Sequence, residues 1–216
     1  TPLDPVKTFE DDPLRIMRAI RFACKLNFNI EEKTFQAIKE MRTRLAEDKV
    51  VSQERITNEF LKIIMSEKPS VGLDLLFKSG VMDIIFPEIS ALAITDQRKD
   101  FHHKNVFYHT LIVVDNISKT TDDVWLRFAS LVHDIAKPRT KKFVEGPGWT
   151  FHSHEEVGAR MMKKIFIRMK LPMTKLSYVE KLVRMHLRPI PLASDVVTDS
   201  AIRRLAAEAG EELEDL

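Results

Sequence analysis

The chain has 216 residues, 44% of them hydrophobic and 31% charged, with a formal net charge of +2. It contains no run of 18 apolar residues, which excludes a membrane-spanning helix, and a single cysteine, Cys24, which excludes an internal disulfide. The first ten residues are polar and contain proline, unlike a signal peptide, and Cys24 lies in an apolar helical pattern as a small core residue. A reduced, cytoplasmic compartment is therefore expected. Charge is unevenly spread. Residues 1–95 carry 14 Lys/Arg against 15 Asp/Glu, residues 96–197 carry 18 against 11, and the tail from 198 carries 2 against 6. A basic middle suits a phosphate-bearing partner, and equally suits solvated helix faces.

Glycine is scarce, at 6 of 216, and helical periodicity dominates. Ile16, Ala19, Ile20, Ala23 and Cys24 recur at helical spacing after Asp11-Asp12-Pro13, a cap followed by an early proline. A second helix is expected around Phe35 to Leu45. A third runs through Ile56 to Ile64 with Ser52 as its cap, and a fourth spans Val71 to Lys78, closed by Gly80. Residues 83–95 form a short element broken by Pro87, and residues 96–104 read as a polar linker. Further helices are expected near 105–119, 123–136, 155–170, 174–187 and 199–209. Gly146-Pro147-Gly148 is a turn signal between short aromatic segments, so a small hairpin is expected there. The fold class is all-α, with a helical unit over residues 1–95 and a second over 96–216.

Two clusters carry chemistry. In the first, Arg15, Arg18 and Arg21 stand three apart and share one helix face, with Asp12 at its start. The stripe could be a solvated face with an Asp12–Arg15 pair, and Asp12 could also be the N-cap of the helix that Pro13 opens. About 40 residues on comes Ser52-Gln53-Glu54-Arg55-Ile56-Thr57-Asn58-Glu59-Phe60. There Glu54, Arg55 and Glu59 can form ion pairs while Ile56 and Phe60 pack inward.

These two motifs, in this order, resemble those of the class II tRNA nucleotidyltransferases, the CCA-adding and poly(A) polymerase family. The first is similar to the pattern E/D-D-x-x-R followed by two arginines at three-residue steps, the second to S-x-E-R-I-x-x-E-F. The resemblance implies that Asp12 and Arg15 read the base, that Arg18 and Arg21 contact the nucleotide or hold the pair in place, and that Glu54, Arg55 and Glu59 brace the arginine helix. It implies CTP, ATP and the tRNA 3′ end as partners, with no membrane role.

The second cluster is histidine. His109 sits in a predicted helix, His133-Asp134 ends the apolar run from Leu126 to Val132, His154 precedes Glu155-Glu156, and His186 lies near a helix end. Imidazole nitrogen and carboxylate oxygen suit a divalent ion of the Mg, Mn, Fe or Zn class. The short polar stretch Lys119 to Asp123 makes the helices on either side antiparallel neighbours, which would carry His109 and His133-Asp134 to one bundle core. The spacing resembles the HD superfamily pattern H…HD…D. The resemblance implies a divalent metal of the Mg, Mn, Ni or Zn class held by His109, His133 and Asp134, with His154 and His186 as added ligands of a two-metal site. The closing Asp of that pattern has no clear counterpart. Asp195 and Asp199 are the nearest, and Asp199 reads better as the cap of the helix opening Ser200-Ala201. By analogy with the tRNA enzymes that Asp is expected beyond Leu216, leaving the unit truncated.

The resemblance also implies a head domain with a Gly-Ser loop and a D-x-D carboxylate pair that holds Mg²⁺ for nucleotidyl transfer. No Gly-Ser dipeptide occurs, and Glu10–Asp12, the D-x-D match if Glu is allowed at its first position, belongs to the arginine helix. The chain begins almost at that motif, as a piece of a longer enzyme would, and no residue in it is expected to catalyse nucleotidyl transfer. Two other readings stay open: a free-standing metal-dependent phosphohydrolase, and an RNA-binding module without chemistry.

Overall fold

The computed structural model describes residues 4–47, 50–94, 105–146, 148–193 and 198–216. A helix that periodicity did not signal comes first: α1 (Pro5–Asp11) begins with proline at its first turn, and the Asp4 carboxylate accepts from the Lys7 amide at 3.0 Å. Then follow α2 (Leu14–Leu26), α3 (Glu32–Met41), α4 (Gln53–Ile64), α5 (Pro69–Lys78), α6 (Val81–Ile85) and α7 (Pro87–Ser90), with a 3₁₀ turn over Ala91–Ile94. Pro87 splits the 83–95 element as expected, because it cannot donate a helical hydrogen bond. Gly80 reaches a positive φ of 74° between α5 and α6, a region that its missing Cβ leaves open. Ser52 occupies the N-cap of α4 without a side-chain bond.

Beyond residue 104 come α8 (Val106–Ser118), α9 (Val124–Val132), α10 (Lys137–Thr140), strands β1 (Lys142–Val144) and β2 (Gly148–Thr150), then α11 (His154–Arg168), α12 (Leu176–Met185) and α13 (Asp199–Ala209). The two strands pair antiparallel with Phe143 opposite Trp149, and Gly146 and Gly148 supply positive φ at the turn. Pro147 lies outside the described residues. The expected linker 96–104, the boundary at 95/96 and Asp195 lie outside them too. Asp199 is corrected by one position: Thr198 is the N-cap, and Asp199 is the first, exposed residue of α13.

The helices are amphipathic, and their apolar stripes meet in one cluster. In α2 the buried set is Leu14, Ile16, Met17, Ile20, Ala23 and Cys24, the i, i+3, i+4 recurrence of a single face. The helix α2 packs on α4 and α5, α5 on α8, α8 on α9, α9 on α12, and α12 on α11. A row of phenylalanines crosses this stack. Phe60 lies 5.8 Å from Phe86, Phe86 6.2 Å from Phe128, and Phe128 5.9 Å from Phe166. Residues before 95 and after 104 thus share one hydrophobic core.

Polar pins reinforce the seam. The Thr57 hydroxyl donates to the Met169 carbonyl at 2.6 Å, and Arg168 makes a two-pronged pair with Glu88 at 2.7 and 2.6 Å. Arg127, only 2% exposed, is the strongest pin. Its guanidinium donates to the carbonyls of Ile64 and Ser66 beyond the end of α4, of Ser118 at the end of α8 and of Thr121, and to the Asp122 carboxylate, at 2.8–3.2 Å. Carbonyls at helix ends lack intrahelical partners, so one planar fork of donors serves two connections at once, α4–α5 and α8–α9. Among the described residues no helix is long and apolar enough to cross a membrane.

Candidate arginine face and metal centre

The arginine stripe of α2 lies on the side away from the core. Arg15 and Arg18 are exposed, and Arg21 is half-buried. Behind them stands Glu59 of α4, a buried carboxylate that accepts from Arg21 Nε at 2.5 Å and pairs with Lys62 at 3.2 Å and, at 4.0 Å, with Arg18. A buried carboxylate needs such partners, and in return it fixes where the guanidinium groups sit. Arg21 also lies 4.1 Å over the ring of the exposed Phe22.

The Asp12–Arg15 pair that the spacing allowed is not the arrangement adopted. Asp12 Oδ1 accepts from the Leu14 amide at 3.1 Å, and its other oxygen lies 3.8 Å from Arg55 of α4. Arg15 instead donates to the Thr8 carbonyl of α1 at 3.3 Å. The N-cap of α2 is formally Pro13, yet the Asp12 side chain serves the first amide of the helix, much as a cap residue does. Arg55 therefore reaches the tip of the arginine face and Glu59 its rear, whereas Glu54, the third of that set, is exposed on α4.

The five residues of the histidine cluster converge. His109 comes from α8, His133 and Asp134 from the end of α9, His154 opens α11, and His186 follows α12. Ring centroids lie 5.8 Å apart for His109 and His133, 5.2 Å for His133 and His186, and 5.2 Å for His154 and His186. Ligand atoms of His109, His133 and Asp134 fall within 4.8 Å of one another, and so do those of Asp134, His154 and His186. Asp134, buried at 1% exposure, is common to both sets. Its Oδ2 lies 3.0 Å from His133 Nε2, while its Oδ1 lies 3.2 Å from His154 Nε2 and 3.8 Å from His186 Nε2.

The backbone sets the tautomers. Nδ1 of His133, His154 and His186 each lies 2.7–2.8 Å from the carbonyl three residues earlier, at Ser130, Phe151 and Val183. A carbonyl only accepts, so each Nδ1 carries a proton and a neutral ring presents a bare Nε2 lone pair to the centre. Those lone pairs face the Asp134 carboxylate, and two of them, on His154 and His186, face each other at 3.3 Å. Extra protons or a cation must lie between. Burial, with His133 nearby, pushes His186 down to about 4 although its Val183 hydrogen bond opposes this, and burial also lowers His109. An extra proton on His186 or His109 is thus disfavoured at neutral pH, and the donor set fits a divalent ion, with the outer-shell carbonyls that orient metal-bound imidazoles. Burial opposes ionisation of Asp134, but the neighbouring His133, His154 and Lys137 outweigh it and hold its carboxyl well below the usual carboxylate range. Lys137 Nζ sits 2.7 Å from Oδ2. Two features carried too little sequence signal to be found: the Lys137 contact, three residues after Asp134, and an open cleft of about 610 Å³ running from His109 and His154 to Trp149 and Phe151. Among the nearer acids, Asp215 accepts from the Tyr178 hydroxyl at 2.8 Å.

A helical bundle that gathers H…HD plus two further histidines around a shared carboxylate defines a class, and the chain belongs to it: the HD domain family matches residues 106–215. Residues 27–92 match the probable RNA and SrmB-binding site of polymerase A. The chain is similar, at 32% identity over 95% of its length and 47% of the relative's, to an A-adding tRNA nucleotidyltransferase of Deinococcus radiodurans. It is 33% identical to a multifunctional CCA protein of Vibrio campbellii, over 77% of the chain and 41% of the relative, and 29% identical to one from Neisseria meningitidis serogroup A, over 83% and 42%. It thus spans less than half the length of these curated relatives. A crystal structure of a tRNA nucleotidyltransferase complexed with a primer tRNA and an incoming ATP analog shares the fold with a TM-score of 0.55 at 20% identity, covering 98% of this chain and 54% of that one.

Proposed function

We propose that these residues are the base-selecting and metal-binding portion of a cytoplasmic tRNA nucleotidyltransferase, with residues 1–95 as its neck and 96–216 as its HD unit. The observation that carries this reading is the exposed arginine face of α2, backed by the buried Glu59, in a chain that aligns along nearly its whole length with an A-adding enzyme. Cytosine and adenine each present an exocyclic amine donor beside a ring-nitrogen acceptor, whereas guanine and uracil present the reverse order. A carboxylate only accepts and a guanidinium only donates. Asp12 and Arg15 side by side therefore match CTP and ATP, and a wrong base leaves buried polar groups unpaired at about 1–3 kcal/mol each. To read a base, Asp12 gives up its contact with Arg55. At 3.8 Å between partly exposed groups that pair contributes only ~0–1 kcal/mol, so the exchange is cheap. Arg18 and Arg21 face the nucleotide phosphates or keep the pair aligned, and the tRNA 3′ end docks beside them.

Nucleotidyl transfer itself is assigned to Mg²⁺-binding carboxylates outside these residues. In the HD unit, His109, His133 and Asp134 would hold one divalent ion of the Mg, Mn, Ni or Zn class, and Asp134, His154 and His186 a second. A bound ion of this kind supplies Lewis acidity toward phosphate esters. Asp134 would serve both sets, the Nδ1–carbonyl bonds aim the imidazoles, and the Lys137 ammonium favours the ionised carboxylate. A second reading, a free-standing phosphohydrolase, draws on the open cleft beside His109 and His154, but gives the arginine face no role. An RNA-binding module without chemistry leaves the inward-facing lone pairs unexplained.

Incubated with tRNA, Mg²⁺ and labelled CTP or ATP, the chain by itself is expected to add no nucleotide, while the same residues joined to a head domain extend tRNA. Incorporation by the chain alone would overturn the assignment of transfer to outside carboxylates. Failure of the longer protein to use either nucleotide would overturn the nucleotidyltransferase reading.

A further inference from the structure

The β1–β2 hairpin exposes apolar surface that folding does not require. Phe143 is 67% exposed and Trp149 41%, and their rings meet edge to face at 5.3 Å. Cross-strand register places them side by side, so they brace each other rather than a core. Lys141 Nζ stands 4.4 Å over the Trp149 ring. Trp149 also lines the 610 Å³ cleft that contains His109, Lys137, Phe151, His154 and Glu155, a volume suited to one small ligand. The same cleft is thus lined by an indole, by two members of the histidine cluster, His109 and His154, and by the Lys137 side chain.

We propose that Trp149 is a stacking platform for a nucleobase whose attached phosphate points toward the histidine cluster and Lys137. An aromatic face accepts any base, and the Lys137 ammonium in the same cleft suits the phosphate of the same nucleotide. Glu155, which also lines the cleft, can accept from a ribose hydroxyl. Lys141 lies over the indole, and at 41% exposure Trp149 still offers ring surface to a base. The phosphate end rests on the metal-centre reading given above, whereas the stacking end does not.

Because the chain holds two tryptophans, a Trp125→Phe background makes Trp149 the sole indole. Trp125 packs against Phe128 and Phe166, so a phenyl ring preserves that contact. The full chain is titrated with AMP, with ribose 5-phosphate and with a short single-stranded oligoribonucleotide, each with and without Mg²⁺, following indole emission. AMP is expected to quench Trp149 and to bind about tenfold more tightly than ribose 5-phosphate, a modest share for one stacked base. Read by calorimetric titration, since neither variant keeps an indole at this position, Trp149→Phe should retain most of the preference and Trp149→Ala should abolish it. Quenching by AMP assigns a free nucleotide, and quenching by the oligonucleotide alone assigns an RNA terminus. Either result supports the platform. Equal affinity for AMP and ribose 5-phosphate with no quenching by the oligonucleotide, an unchanged preference in Trp149→Ala, or emission that responds only to protein concentration, as in self-association, overturns it. Calorimetric titration with Mg²⁺ or Zn²⁺ separates the two readings. Cation binding without quenching removes the platform alone, and quenching without cation binding removes the metal centre alone.

Discussion

Replacing Asp134 by Asn is expected to abolish divalent-cation binding by the HD unit. Among the described residues Asp134 is the carboxylate shared by both ligand sets, one oxygen toward His133 and the other toward His154 and His186. Loss of an outer-shell partner typically weakens a metal site about 10–100-fold, so loss of the ligand shared by both positions should exceed ~100-fold. Asn is isosteric, so the helices should keep their packing, and circular dichroism provides that control. Calorimetric titration with Zn²⁺ or Mn²⁺ measures the outcome, and an affinity within about threefold of the parent would contradict the ligand role. The same carboxylate makes a signed pH prediction. Its folded pKa lies below the unfolded value of about 3.9, so its contribution to stability is present above that pH. As pH falls through the folded value that contribution is lost. In Asp134→Asn this part of the acid response should vanish, while Lys137 loses its partner.

Arg127→Met should be the most destabilising single change outside the cluster, at roughly 3–4 kcal/mol, because it strips donors from several buried carbonyls at once. Its ion partner Asp122 is fully solvated and contributes little, so the loss comes from Ile64, Ser66, Ser118 and Thr121. For a chain of this size the midpoint should drop by about 10 °C. Arg127→Lys should recover only part of this, because one ammonium cannot span carbonyls that diverge from a planar fork. Urea unfolding of the three proteins measures it, and a Met variant within about 1 kcal/mol of the parent would show that the connections hold without the pin.

These two residues mark how differently the sequence speaks. Asp134 is legible because His-Asp at the end of an apolar run has no packing rationale. A partner histidine 24 residues earlier, across a short connection, makes a shared core plausible before any coordinates. The stripe of α2 is legible for the same reason that its burial is regular: one period governs both. Arg127 is not legible, since a lone arginine inside Val124–Val132 looks like an interruption, and the carbonyls it serves lie as far away as Ile64. Periodicity says which face is inward but not what stands opposite. That is why helical spacing points Asp12 to Arg15, its neighbour on the helix, while the fold offers it Arg55 from α4. The helix α1 was missed because seven residues hold too few turns for a periodic signal. The hairpin was legible from its glycines, but the cleft beneath it depends on where α8 and α11 bring His109 and His154.

The central claim is that Asp12 and Arg15 choose the base, and it is tested most directly by incorporation of the four nucleotides into tRNA by the head-containing protein. Asp12→Ala and Arg15→Ala are compared with the parent under single-turnover conditions. Each variant is expected to lose preference for CTP and ATP over GTP and UTP by about tenfold or more, each unpaired polar group costing ~1–3 kcal/mol. Unchanged discrimination against GTP and UTP in both variants would contradict it.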